Sequence, residues 1–167
     1  MKIIETFFRG AMSDRFTDNK DGTITDSKTD LIWKKDAAPG TYFWDEAVKY
    51  CEGLGEGWRL PTIAELISIV DHSRHKFAID PVFNCRPSYF VFCFLTFGEG
   101  RWIDLFYWSS TTTDTTLDDA CAVDFHGGRE ASFLKSYPGV YVRAVRGITH
   151  LTLEELTNGQ VQVYRGE

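Results

Sequence analysis

The sequence predicts an α+β domain, with two helices packed on antiparallel sheets. Three observations carry that prediction. Short β-type segments come first, two helical periodicities follow and β-type segments then resume, which is the order of an α+β fold and not of alternating βαβ units. Thirteen Phe, seven Tyr and five Trp among 167 residues form an aromatic load suited to sheet packing. Late in the chain, "VYVRAVRG" alternates with period two: Val140, Val142 and Ala144 on one face, Tyr141, Arg143 and Val145 on the other. The length fits one domain with a real core. Residues 1–14 read as a lead-in, 15–147 as the domain and 148–167 as an extension.

In "RFTDNKDGTITDSKTDLIWKK", Phe16, Ile24, Leu31 and Trp33 stand among turn residues, with Asp21-Gly22 a strong turn signal. This reads as a short β-meander ending in a strand at 31–34. Phe43, Ala47, Tyr50, Cys51 and Leu54 then follow helical spacing. Asp45 and Glu46 suit the positive first turn of that helix, and Gly53, Gly55 and Gly57 stop it.

"GWRLPTIAEL" opens the second helix. Thr62 and Glu65 form a capping box, and Pro61 stands just outside. Ile63, Leu66, Ile67 and Val70 form the expected buried stripe, in a helix running to about Asp71 or His72. Strands are then expected at 89–96 and 102–109, joined by a turn at 98–100. "ACAVDF", a tight "HGGR" turn, "EASFLK" and "GVYVRAVRG" give three more. The tail carries a short helix at 153–156 and a strand at 160–164.

A formal net charge of −6 argues against a nucleic-acid partner, because neutralising phosphates needs a surplus of Lys and Arg. With no run of about 18 apolar residues, membrane insertion is not expected. The first residues do not read as a secretory signal, so a cytoplasmic location is favoured over a secreted one. Cys51, Cys85, Cys93 and Cys121 include no CxxC pair, which argues against zinc. Cys85 and Cys93 are near enough to bridge a hairpin, with buried thiols as the alternative.

The chemistry-bearing residue types are weighed in turn. A calcium loop with Gly22 at its sixth position would begin at Thr17 where Asp is needed, leaving only a weak calcium site from Asp18, Asp21 and Asp26. Asp71, His72 and His75 would make a metal site only if the second helix lasts that far; helix-end residues are the simpler reading. A hydrolase would use Ser109 or Ser110 with His126 and Asp124, but no nucleophile elbow surrounds either serine, and Asp124 and His126 stand two apart on one strand. No enzymatic activity and no cofactor are expected.

Read in order, "FTDNKDGTITDSKTDLIWKK", "WDEAVKYCEGL", "GWRLPTIAELISIVD", "IDPVF", "YWSST" and "YVRAVRG" resemble the C-terminal domain family of bacterial collagen-like adhesins, the Lcl C-terminal domain. That family is distantly similar to the C-type-lectin-like fold shared with formylglycine-generating enzymes, which carry a similar Arg-Leu-Pro-Thr-x-x-Glu segment. The resemblance implies a binding module; the named adhesins bind sulfated glycans and assemble as trimers, so a homo-oligomer, trimer or dimer, is an expectation here. Two departures stand out. Ala144 occupies a position where family members often have Cys, which would leave Cys51 without its usual disulfide partner. The segment from Cys85 to Tyr107 is longer and more aromatic than the typical connection. Formylglycine-type oxidation needs a pair of reactive cysteines a few residues apart, and the spacings here do not supply it.

The expected function is therefore recognition of a glycan or a protein through loops between the late strands: 98–104, 111–119 and 127–130. Arg101, Trp102, Asp104 and Tyr107 form a candidate glycan patch. Thr113, Asp114, Asp118, His126 and Arg129 complete the candidate ligand-binding set. Phe90, Phe92 and Phe94, on one face of "YFVFCFLTF", are candidates for a protein interface; an intracellular protein-interaction factor of phage or mobile-element type, using the aromatic insertion at 85–108, is the alternative reading. Trp58, Arg59, Thr62, Glu65, Trp108, Arg143 and Arg146 are read as scaffold. Arg59 is expected to clamp Glu65 or backbone carbonyls rather than bind a ligand.

Overall fold

The structure, a computed structural model, describes residues 15–74, 77–85, 105–113 and 116–148. Its elements are β1 (Phe16–Asp18), β2 (Thr23–Asp26), β3 (Leu31–Lys34), α1 (Trp44–Gly53), α2 (Ile63–Ser68), β4 (Phe106–Thr112), β5 (Asp119–Asp124), β6 (Arg129–Leu134) and β7 (Val145–Arg146). The α+β expectation holds: two helices accompany two antiparallel sheets, one ordered β1-β2-β3-β7 and the other β4-β5-β6.

The amino-terminal meander forms as its turn residues dictate. Gly22 takes a left-handed φ of 83° between β1 and β2. Asp26, fully buried at the end of β2, accepts two hydrogen bonds from Arg15 at 2.8 and 2.6 Å and one from Thr29 at 2.8 Å. Arg15 also reaches the Ser68 carbonyl, so a sheet corner is tied to the end of α2.

Both helices form, with corrections. Phe43, placed by spacing in the first helical stripe, sits at the N-cap and is 41% exposed; Ala47 and Cys51 carry the buried face. The second helix ends at Ser68, short of the expected 71–72, and its buried residues include Ala64, Glu65, Leu66 and Ser68, while Ile63, Ile67 and Val70 are half-buried. Asp71 and His72 therefore follow the helix in a turn, where Ser73 donates to the Asp71 carboxylate.

The segment "VYVRAVRG" is extended, but only Val145 and Arg146 belong to a strand of a sheet. Upstream it makes isolated bridges, Val140 to Tyr42 and Tyr141 to Tyr107. Its alternation divides two cores. Val140, Val142 and Ala144 pack with Ala47, Cys51, Trp58, Leu60 and Trp108. Tyr141 and Val145 face the other core, with Ile24, Trp33, Phe83, Tyr107 and Phe125. A strand apolar on both faces is what a central position between two packed layers requires.

Arg143 stands on the same face as Tyr141 and is fully buried. Its guanidinium donates to the carbonyls of Lys34, Lys35 and Asn84 and lies over the rings of Phe83 and Tyr107. The planar fork suits this task, since it satisfies several buried carbonyls from one side chain.

The strand expected at 102–109 begins at Phe106 and runs to Thr112, with a bulge between Trp108 and Thr112. β6 is one edge of its sheet and β4 the other. The strand expected at 89–96, the turn at 98–100 and the elements at 153–156 and 160–164 lie outside the described residues, as do His75, Cys93, Phe90, Phe92 and Phe94.

Candidate functional site

The "GWRLPTIAEL" corner is held together by its own side chains. Thr62 caps α2: its hydroxyl accepts from the Glu65 N–H at 3.2 Å and the Glu65 carboxylate accepts from the Thr62 N–H at 2.8 Å. Arg59 clamps that carboxylate through two bonds of 2.8 and 2.7 Å and reaches the Gly147 carbonyl at 3.1 Å. The helix start is thus locked to the end of β7. Trp58 and Leu60 are buried, and Lys34 and Arg146 lie over the Trp58 ring at 4.4 and 4.9 Å. Trp108 is buried and donates to the Tyr42 carbonyl at 2.9 Å.

The amino-terminal carboxylates are engaged separately. Asp18 takes Lys35 and Lys20, which hold its carboxyl well below the usual range. Asp21 serves Thr23, and Asp26 serves Arg15 and Thr29. Among the described residues no three His, Cys, Asp or Glu side chains gather as a metal would need. Each of the three carboxylates of the weak calcium reading accepts hydrogen bonds from its own neighbours.

Ser109, Asp124 and His126, weighed for a hydrolase, each have local partners of their own. Ser109 is buried and donates to the Cys121 carbonyl at 2.8 Å. Asp124 is buried and accepts the backbone N–H groups of Leu105, His126 and Gly127, so its carboxylate organises the turn after β5. His126 lies in that turn and not on the strand, edge-on to Phe77.

The ligand-binding candidates do not converge. Tyr107 is fully buried, so the glycan patch loses its tyrosine; Arg101, Trp102, Asp104 and Asp114 lie outside the described residues. Thr113 and Asp118 stand at the β4–β5 end of the three-stranded sheet, whereas His126 and Arg129 stand at the β5–β6 turn. The six residues of β5 separate the two groups by roughly 20 Å. At the turn end, Arg129 pairs with Asp124 at 3.3 Å, and a Cβ on Gly128 would meet His72 and Val70 at 2.9 Å, so that turn is packed onto its neighbours.

The Thr113–Asp118 end carries a feature the sequence reading missed. Lys135 joins three segments there. Its N–H donates to the Asp118 carbonyl, its carbonyl accepts from Trp44, and its ammonium reaches the Leu117 carbonyl at 2.7 Å while lying 4.4 Å from the centre of the Trp44 ring. The segments that this lysine joins carry exposed apolar side chains: Phe43, Tyr137 at 48%, Leu134 at 59% and Leu117 at 81%. Tyr137 is fixed. Its N–H donates to the Leu134 carbonyl, and its ring stacks on Phe133 with centroids 5.2 Å apart and planes 14° apart. Gly139 lies close to the same ring, where a Cβ would come within 2.7 Å of it. This ledge joins the start of α1, the β4–β5 loop and the end of β6. Local periodicity could not reveal it, because the lysine assembles it through backbone carbonyls.

Among the described residues, Cys51, Cys85 and Cys121 form no disulfide with one another. Cys51 is fully buried in the same core as Ala144, and burial pushes its thiol up to about 12. No helix among the described residues is long and apolar enough to cross a membrane.

The model of the Lcl C-terminal domain family matches residues 22–146, and the chain belongs to that family. No curated protein and no solved structure matches it.

Proposed function

We propose that this chain is a non-catalytic recognition domain that takes a glycan or protein ligand on the ledge formed by Phe43, Trp44, Leu117, Leu134, Lys135 and Tyr137. One observation carries the reading: four large apolar side chains are exposed on the segments joined by a lysine that is held in place by backbone contacts. Scattered apolar residues are ordinary on a protein surface, but a fixed group at one end of a sheet is suited to contact. A stacked tyrosine and a half-buried tryptophan present flat faces at small entropic cost, which fits either a sugar ring or a protein side chain.

Adhesin-like recognition agrees with membership of the Lcl C-terminal domain family, and a C-type-lectin-like fold is the proposed distant relationship. The alternative, a protein-interaction factor working through the aromatic segment 85–108, draws on residues mostly outside the described ones. A cytoplasmic location and self-association, as dimer or trimer, accompany that alternative.

The test is a glycan array and an immobilised-lysate capture run in parallel, with calcium and again with chelator, comparing the native chain with Phe43→Ser/Tyr137→Ser. Any specific ligand of the native chain should be lost in the double variant. A ligand bound equally by both would remove the ledge from the proposal.

A further inference from the structure

We propose that two copies of this chain pair through the open edge of β6, antiparallel about a two-fold axis at Ala131. The pairing does not depend on the ledge taking a ligand. The two edges of the three-stranded sheet differ. Along β4, the Trp108 N–H donates to the Tyr141 carbonyl, Tyr141 to the Phe106 carbonyl and Ser110 to the Pro61 carbonyl, and a bulge interrupts the ladder. That edge is covered. Along β6, the register with β5 runs without a shift from Arg129 to Leu134. The Lys135 N–H donates to the Asp118 carbonyl, so the odd-numbered residues of β6 turn their backbone groups toward β5, and Glu130, Ser132 and Leu134 turn theirs away. The Leu134 carbonyl takes the Tyr137 N–H, but no described residue bonds the N–H or C=O of Glu130 or Ser132.

Natural sheets guard an open edge with Pro, Lys or a bulge. The strand "REASFL" has none of these. What fits it is the same strand reversed. With the axis at Ala131, Glu130 and Ser132 of one chain exchange N–H and C=O groups with the partner's Ser132 and Glu130. The partner's Ser132 hydroxyl then stands opposite the Glu130 carboxylate and can donate to it. Arg129, already paired with Asp124, stands opposite the partner's Phe133, and Ala131 meets the partner's Ala131. No like charges are opposed. An axis at Ser132 would set Arg129 against the partner's Lys135, and an axis at Glu130 would set two carboxylates together, so charge selects one register. A single strand pair buries less than the roughly 1,000 Å² of a stable complex, so the dimer is a weak one that forms at high concentration.

The test is sedimentation equilibrium of the full chain from about 10 µM to about 1 mM, the range of a weak pairing. The weight-average mass should rise toward that of two chains. Ser132→Pro removes an outward N–H without touching the β5 ladder, so it should keep the fold and weaken association at least about tenfold. Ala131→Cys should form an interchain disulfide on mild oxidation, because the facing Cα atoms of that pair would stand about 4.5 Å apart. Mass spectrometry should find position 131 linked to itself. The mass of one chain throughout the range would overturn the proposal. So would a dimer that a folded Ser132→Pro leaves unweakened. Should Ser132→Pro fail to fold, the cross-link decides: a dimer of Ala131→Cys without a disulfide between the introduced thiols removes β6 from the interface.

Discussion

The corner where α2 begins and the ledge where β6 ends are both built from aromatic and basic side chains, used to opposite ends. At the corner, Trp58 is buried and Arg59 spends its fork on Glu65 and the Gly147 carbonyl. At the ledge, the lysine holds backbone while the apolar side chains around it face solvent. A side chain that turns inward contributes stability. One held outward by its neighbours is available for a partner. The same contrast separates Arg143, whose guanidinium is closed by three carbonyls, from Lys135, whose ammonium lies on the rim of an exposed surface.

The sharpest break in that comparison is Arg143→Met. It leaves three carbonyls without their donor, and the expected loss is about 3 kcal/mol or more by urea unfolding. A loss below about 1 kcal/mol would mean that water replaces the guanidinium with little cost. Glu65→Ala is expected next, at about 2 kcal/mol, because it removes the capping acceptor and strands a half-buried Arg59. Gly128→Ala should follow at about 1–2 kcal/mol, since φ there is 71° and the added Cβ would meet Val70 and His72. A native-like melting temperature for this variant would show the β5–β6 turn to be loosely packed.

A pH effect refines the scaffold side. The folded pKa of the Cys51 thiol is raised by burial from its ordinary 9.0 to about 12. The neutral thiol is thus favoured by folding; its contribution is complete below pH 9 and is lost as pH rises toward 12. Cys51→Ala should flatten the alkaline limb of the stability profile, measured by urea titration from pH 7 to pH 10. An unchanged limb would assign the alkaline sensitivity to other groups.

How much of this was legible in the sequence depended on how local each signal was. The Asp21-Gly22 turn and the Thr62–Glu65 capping box are decided within a few residues, and both stand where the pattern put them. The alternation of Val140 to Val145 was equally visible. Its meaning was not, because which faces are covered depends on pairings with Tyr42, Tyr107 and β3 far away in the chain. Phe43 continued a helical spacing but precedes the helix, where no turn buries it. Tyr107 stood within "FYW", three rings whose inward or outward sense only the register with β5 fixes. The ledge had no local signature at all. Its residues come from positions 43, 117 and 134–137, joined by carbonyls that sequence patterns do not record.

The central claim is that the ledge is surplus to the fold. Urea unfolding of the native chain against Leu117→Ser/Leu134→Ser/Tyr137→Ser tests it most directly. Exposed apolar residues contribute little to folding, so the triple variant should stay within about 1 kcal/mol of the native chain, with an unchanged denaturant slope. A loss of about 3 kcal/mol or more would show that these side chains hold the structure together, and the recognition surface would have to be sought elsewhere.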